Sequence, residues 1–108
     1  MNVDNVKSQM RKGMLEYCIL LLLHKELFYA SDIIRKLKES QLIVVEGTLY
    51  PLLTRLKNDN FLGYEWVESP QGPPRKYYKL TGTGETFLEE LENLWNELNE
   101  TVNHLANQ

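Results

Sequence analysis

Between Glu46 and Asn60 the chain reads EGTLYPLLTRLKNDN, and Leu49, Leu52, Leu53 and Leu56 recur at i, i+3, i+4 and i+7. That spacing predicts a helix with a single apolar stripe. At about 100° per residue, the opposite face carries Gly47, Pro51, Thr54 and Asn58, flanked by Thr48, Tyr50, Arg55 and Lys57. This outer face is short, hydroxyl-bearing and cationic at its edges. An ordinary amphipathic helix with a wet polar face has the same stripe, so its neighbours decide what it does. Proline is comfortable in the first turn of a helix and costly deeper in, so Pro51 predicts a start near Thr48. A start near Glu46 stays open, because the carbonyl that Pro51 would crowd belongs to flexible Gly47.

Before this helix, Ala30 to Glu39 places Ile33, Ile34 and Leu37 at helical spacing. Ser31 and Asp32 suit its first turn and Arg35, Lys36 and Lys38 its last, matching the helix dipole at both ends. Leu42 to Val45 then reads either as a brief strand or as an extended connector. After the helix, Leu62–Glu68 and Arg75–Leu80 are rich in strand-favouring Tyr, Trp and Val, and SPQGPP lies between them. Three prolines cannot continue a ladder, so a β-hairpin with a stiffened six-residue tip is predicted. Arg75 and Lys76 leave that tip, with Lys79 further along. Helix, helix, hairpin in this order predicts a winged helix-turn-helix, a mainly α fold with a small β-hairpin (α+β). In such a fold the second helix enters the major groove and the wing reaches phosphates or the adjacent minor groove.

Charge distribution agrees with that division better than total charge does. The net charge is −3, yet all twelve Lys and Arg lie within residues 1–80 beside nine Asp and Glu, and residues 81–108 hold six Glu and no cation. A cationic first part can face an anion while the acidic tail faces elsewhere. In that tail, Leu88, Leu91, Trp95, Leu98, Val102 and Leu105 follow at spacings of 3, 4, 3, 4 and 3 after Thr81, a good helix cap. Strict 3-4 alternation predicts a coiled-coil seam across a homodimer interface, with Phe87 and Leu94 widening it. Packing on its own domain is the competing arrangement. The predicted organisation is a DNA-binding domain over residues 1–80 and a dimerisation helix over 81–108.

Other functions lack their residues. Lys7, Arg11 and Lys12 precede the apolar run Tyr17–Leu23, but Glu16 interrupts it and no small-residue cleavage site follows. The run is also far short of the ~20 apolar residues of a membrane span. Apolar side chains on nearly every face from Met14 to Leu23 predict a helix covered on several sides, partly by a second chain. Neither Cys18 nor His24 has a third ligand at metal spacing, so a core thiol and a helix-end histidine are predicted. With no phosphate loop, paired carboxylates or nucleophile–base pair, no enzyme, cofactor or metal is expected. A cytoplasmic location and no membrane partner are expected.

The residues Gly47–Leu56 (GTLYPLLTRL), then Phe61-Leu62, then Arg75–Thr81 (RKYYKLT) with Gly84 three residues on, resemble the PadR family of bacterial transcriptional regulators. Leu27–Leu37 resembles the family's Tyr-Gly-Tyr-Glu-Ile segment more loosely, with Ala30 and Ser31 in place of Gly-Tyr. Asn60 stands where the family commonly has Gly, and Asn tolerates the left-handed conformation that ends a helix. The resemblance implies a homodimer that represses transcription at an inverted-repeat operator in double-stranded DNA. It implies DNA contacts by Ser31, Lys36, Thr48, Tyr50, Pro51, Thr54, Arg55 and Lys57 on the helices and by Arg75 and Lys76 on the wing. Arg55 is the best candidate for reading a base edge. Trp95 matches a tryptophan that stacks on flat aromatic compounds in short, multidrug-sensing members of the family. That match implies a small aromatic effector at Trp95, with Met10, Met14 and Tyr17 of the first helix; the alternative is that Trp95 only fills a wide dimer core. The competing function is a winged-helix protein-interaction module that does not touch DNA.

Overall fold

In the computed structural model, which describes residues 2–108, the chain runs α1 (Val3–Lys25), α2 (Ala30–Glu39), α3 (Glu46–Asn58), β1 (Leu62–Ser69), β2 (Gly72–Leu80) and α4 (Gly82–Ala106). This is the α+β winged helix predicted, with α2 at the predicted boundaries. The α3 stripe supplies the centre of the core: Leu49 and Leu53 are fully buried, and Leu56 nearly so. Leu15, Ile19, Leu20 and Leu23 of α1, Ile33 and Leu37 of α2, Leu62 and Tyr78 of the hairpin and Leu88 of α4 close around it. Most of the apolar run of α1 is thus covered by its own chain, leaving Leu21 at the surface. Among the described residues no helix is long and apolar enough to cross a membrane.

Both helices of the helix-turn-helix pair end in the same way. Gln41 and Asn60 take left-handed φ angles of 69° and 66°. After α2, the Leu42 and Gln41 amides donate to the carbonyls of Leu37 and Lys38; after α3, those of Phe61 and Asn60 donate to Leu56 and Lys57. Each pair satisfies carbonyls that a helix end leaves orphaned. Asn60 does end α3 in place of glycine. The helix starts at Glu46, with Val45 as its cap, so Pro51 lies in its interior and not in its first turn. Gly47, four residues before Pro51, has open space beside it, where a Cβ would meet nothing within 4 Å. The connector before α3 forms no ladder: Val44 turns inward while Ile43 and Val45 face outward.

The hairpin is longer than the prolines predicted. β1 extends to Ser69 and β2 begins at Gly72, leaving only Pro70 and Gln71 as the turn. Val67 pairs with Arg75 and Ser69 with Gly72, so Pro73 and Pro74 together oppose Glu68 in a bulge. A bulge is where a strand tolerates residues that cannot donate to the ladder. The outer edge of β2 carries a further antiparallel bridge. The Phe28 amide donates to the Tyr78 carbonyl at 3.4 Å and the Tyr78 amide to the Phe28 carbonyl at 2.8 Å, tying the α1–α2 connection to the wing.

Thr81 joins the wing to the last helix. Its hydroxyl accepts from the Gly84 amide at 2.9 Å and donates to the Asn60 carbonyl at 2.5 Å. Gly84 is pressed onto the Phe61 carbonyl, where a Cβ would overlap the oxygen, and the Phe61 and Phe87 rings stack at 4.1 Å. His24 Nδ1 lies 2.7 Å from Glu85 Oε2, linking the end of α1 to the start of α4. Beyond Leu91 the helix leaves the domain, and every residue from 92 onward is exposed. The chain is accordingly elongated, 58 × 32 × 22 Å with a radius of gyration of 15.9 Å, against ~13 Å for a globule of this length.

Candidate nucleic-acid interface

The N-terminus of α2, the outer face of α3 and the start of β2 enclose an open groove of about 540 Å³. Ser31 comes from α2, Tyr50 and Thr54 from α3, and Arg75, Lys76 and Tyr78 from β2, with Tyr29 and Ala30 at the edge. The lining offers two cations and five hydroxyls and no carboxylate. Hydroxyls and cations of this kind are what a phosphodiester backbone accepts from a protein. Burial, with Tyr50 and Tyr64 nearby, pushes the Tyr78 phenol above its ordinary value, so it stays a neutral hydrogen-bonding group at physiological pH.

Aromatic rings hold both wing cations. The Arg75 guanidinium lies 4.7 Å from the centre of the Tyr29 ring, which meets Tyr77 edge-on at 5.3 Å. Lys76 Nζ is 4.4 Å from the centre of the Tyr64 ring, 5.5 Å from Trp66 and 6.0 Å from Tyr78. Such contacts are weak at exposed sites, about 0.5–1 kcal/mol each, but they restrict two otherwise mobile side chains.

The remaining expected DNA contacts lie outside this groove. Arg55 pairs with the Glu16 carboxylate of α1, and Thr48 and Pro51 line that same flank of α3. The Lys57 ammonium sits 5.2 Å from the centre of the Tyr64 ring. Lys36 is half-buried, with Nζ 3.9 Å from a Glu39 oxygen. Tyr29 and Tyr78 were not among the expected contacts. The signal for Tyr29 was its place immediately before α2; Tyr78 was marked only by alternation along β2.

Residues 19–90 match the transcriptional regulator PadR-like family. This chain belongs to the PadR family. A PadR-like transcription factor from Bacteroides fragilis is 83% identical, with 94% of this chain and 98% of that one aligned at a TM-score of 0.79. A PadR family regulator from Eggerthella lenta is 32% identical over 95% of this chain and 90% of its own, at a TM-score of 0.88. Bacillus subtilis PadR, solved in complex with operator DNA, is 28% identical over 72% of this chain and 45% of its own, at a TM-score of 0.66. The chain is a PadR-family transcriptional regulator with a winged-helix fold, and the family is one of regulators and not of enzymes.

Two further groups of expected residues lie away from the groove. Leu88 is buried and Leu91 half-buried against the domain, whereas Trp95, Leu98, Val102 and Leu105 are 41%, 51%, 61% and 63% exposed. The seam is therefore divided between the domain core and a free apolar stripe. Met10 is exposed, and Met14 and Tyr17 are half-exposed along α1. Burial, then the charge of Glu92 on α4, raises the Tyr17 pKa. The clefts of about 190–540 Å³ along the chain are lined by other residues.

Proposed function

We propose that this PadR-family regulator binds an inverted-repeat operator in double-stranded DNA as a homodimer and represses transcription until a small aromatic effector releases it. The carboxylate-free groove between α2, α3 and the wing is the observation that carries the DNA reading. Ser31, Tyr50 and Thr54 engage phosphates, waters and thymine methyls, while Arg75 and Lys76 engage phosphates beside the groove. A relative solved on operator DNA supports the same use of this fold.

The free stripe from Trp95 to Leu105 supports the dimer. Four large apolar side chains at 3-4 spacing on a protruding helix are unsuited to water and suited to an identical partner. Residues 1–80 then act as the reading head and 81–108 as the helix that spaces two heads across two half-sites. Trp95, which stands where α4 leaves the domain, would meet Met10, Met14 and Tyr17 in the assembled dimer and there contact the effector. A protein of this kind works in the cytoplasm.

The test is a mobility shift with purified protein and the DNA upstream of its own gene. A shift at low salt is expected, with release by flat aromatic compounds. No shift at low salt would return the fold to a protein-interaction role.

A further inference from the structure

Arg55 is the side chain a recognition helix would use first, since its planar guanidinium matches phosphate and guanine edges bidentately. In this structure it is engaged instead by Glu16, an internal carboxylate 39 residues earlier on α1. The cleft around the pair holds Lys12, Thr48 and Pro51 and no other carboxylate. Arg55 and Glu16 are 62% and 36% exposed, so water screens the pair and a competing anion can displace it. The contact also lies on a helix tied to α4: Tyr17 follows Glu16 on α1, and His24 at the end of α1 reaches Glu85 of α4. Movement of α1 relative to α3 acts directly on Arg55.

We propose that Glu16 is an internal substitute for an operator phosphate, holding Arg55 off the DNA so that α1 sets how many phosphates each half-site engages. This rests on the DNA-binding function proposed above. Glu16 is thus a positioning residue for Arg55, and it explains why a carboxylate interrupts the apolar side of α1. When α1 shifts, Arg55 is released from Glu16 and gains a phosphate. When α1 returns, the contact is lost.

The test compares operator affinity between 50 and 200 mM salt for the full-length wild type, Glu16→Gln, Arg55→Ala and the double variant, with thermal melting to establish that each is folded. One added phosphate contact steepens the slope of log affinity against log salt by about 0.9. Over a fourfold change in salt that is an additional loss of about 3.5-fold per half-site for Glu16→Gln. Arg55→Ala alone should leave the wild-type slope nearly unchanged, and the double variant should match Arg55→Ala. A steeper Glu16→Gln slope that persists without Arg55 would show a general charge effect and overturn the proposal. So would a wild-type slope that Arg55→Ala already shallows by a full contact. Normal wild-type binding with an unaltered Glu16→Gln slope overturns this inference alone; a wild type that binds no operator overturns the DNA reading with it. Glu16→Ala, which also removes the carboxylate, serves as the second variant and should behave as Glu16→Gln does.

Discussion

The Arg75 guanidinium rests over the ring of Tyr29, 4.7 Å from its centre, so the first residue of the wing's basic pair is braced by the residue that caps α2. Three elements meet there: the start of α2, the wing, and the groove between them. Without the ring, Arg75 would sample many rotamers, and ordering it on a phosphate would cost more entropy. Tyr29→Leu should weaken operator binding about two- to fivefold, the equivalent of about 0.5–1 kcal/mol for an exposed cation–π contact. Tyr29→Phe should retain the affinity, because the ring and not the hydroxyl does the bracing. Fluorescence anisotropy with labelled operator measures both.

The divided seam predicts two different consequences along one helix. Leu88→Ala removes a buried side chain and should cost about 2–5 kcal/mol of stability, seen as a lower midpoint in urea. Leu98→Glu and Val102→Glu alter side chains that are exposed in the single chain. They should leave the domain folded and shift sedimentation equilibrium toward monomer, with loss of operator binding.

Two glycines two residues apart, Gly82 and Gly84, should respond oppositely to alanine. At Gly84 a Cβ would overlap the Phe61 carbonyl oxygen, and backbone cannot move aside as a flexible side chain can. Gly84→Ala should destabilise by about 1–3 kcal/mol, the range for overpacking. At Gly82 a Cβ meets nothing within 4 Å, and Gly82→Ala should stabilise by about 0.4–1 kcal/mol through the unfolded chain's entropy. Thermal melts of the two variants should therefore move in opposite directions.

Much of this architecture is legible in the residues. Asp32 at one end and Lys36 and Lys38 at the other bound α2, because a helix dipole favours those charges at those ends. Pro73 and Pro74 read as strand breakers and predict a shorter hairpin; a bulge opposite Glu68 accommodates them. The Phe28–Tyr78 bridge is a single pair and leaves no period-2 pattern to read. The groove's residue types could be named from helix and strand positions. The partner of Arg55 could not, since Glu16 is distant in sequence and is brought to α3 only by the packing of α1.

Alkaline pH should destabilise the protein. Burial raises the Cys18 thiol and the Tyr78 phenol above their ordinary values, and burial with the nearby Glu92 charge raises Tyr17. A raised folded-state pKa means that the native chain holds its proton when the unfolded chain has released it. The contribution is complete below the unfolded pKa and declines as pH rises, from about pH 8.5 for the thiol and about pH 10 for the phenols. The melting temperature should fall across that range, and Cys18→Ser should flatten its first part.

The central claim is that the groove between α2, α3 and the wing holds DNA phosphates, and the salt dependence of operator binding measures it most directly. Wild type, Arg75→Ala and Lys76→Ala should be titrated onto the upstream DNA at several salt concentrations. Affinity should fall steeply with salt for the wild type, and each variant should shallow the slope by about 0.9 per lost phosphate contact. A wild-type affinity indifferent to salt, or slopes that neither substitution changes, would contradict the account.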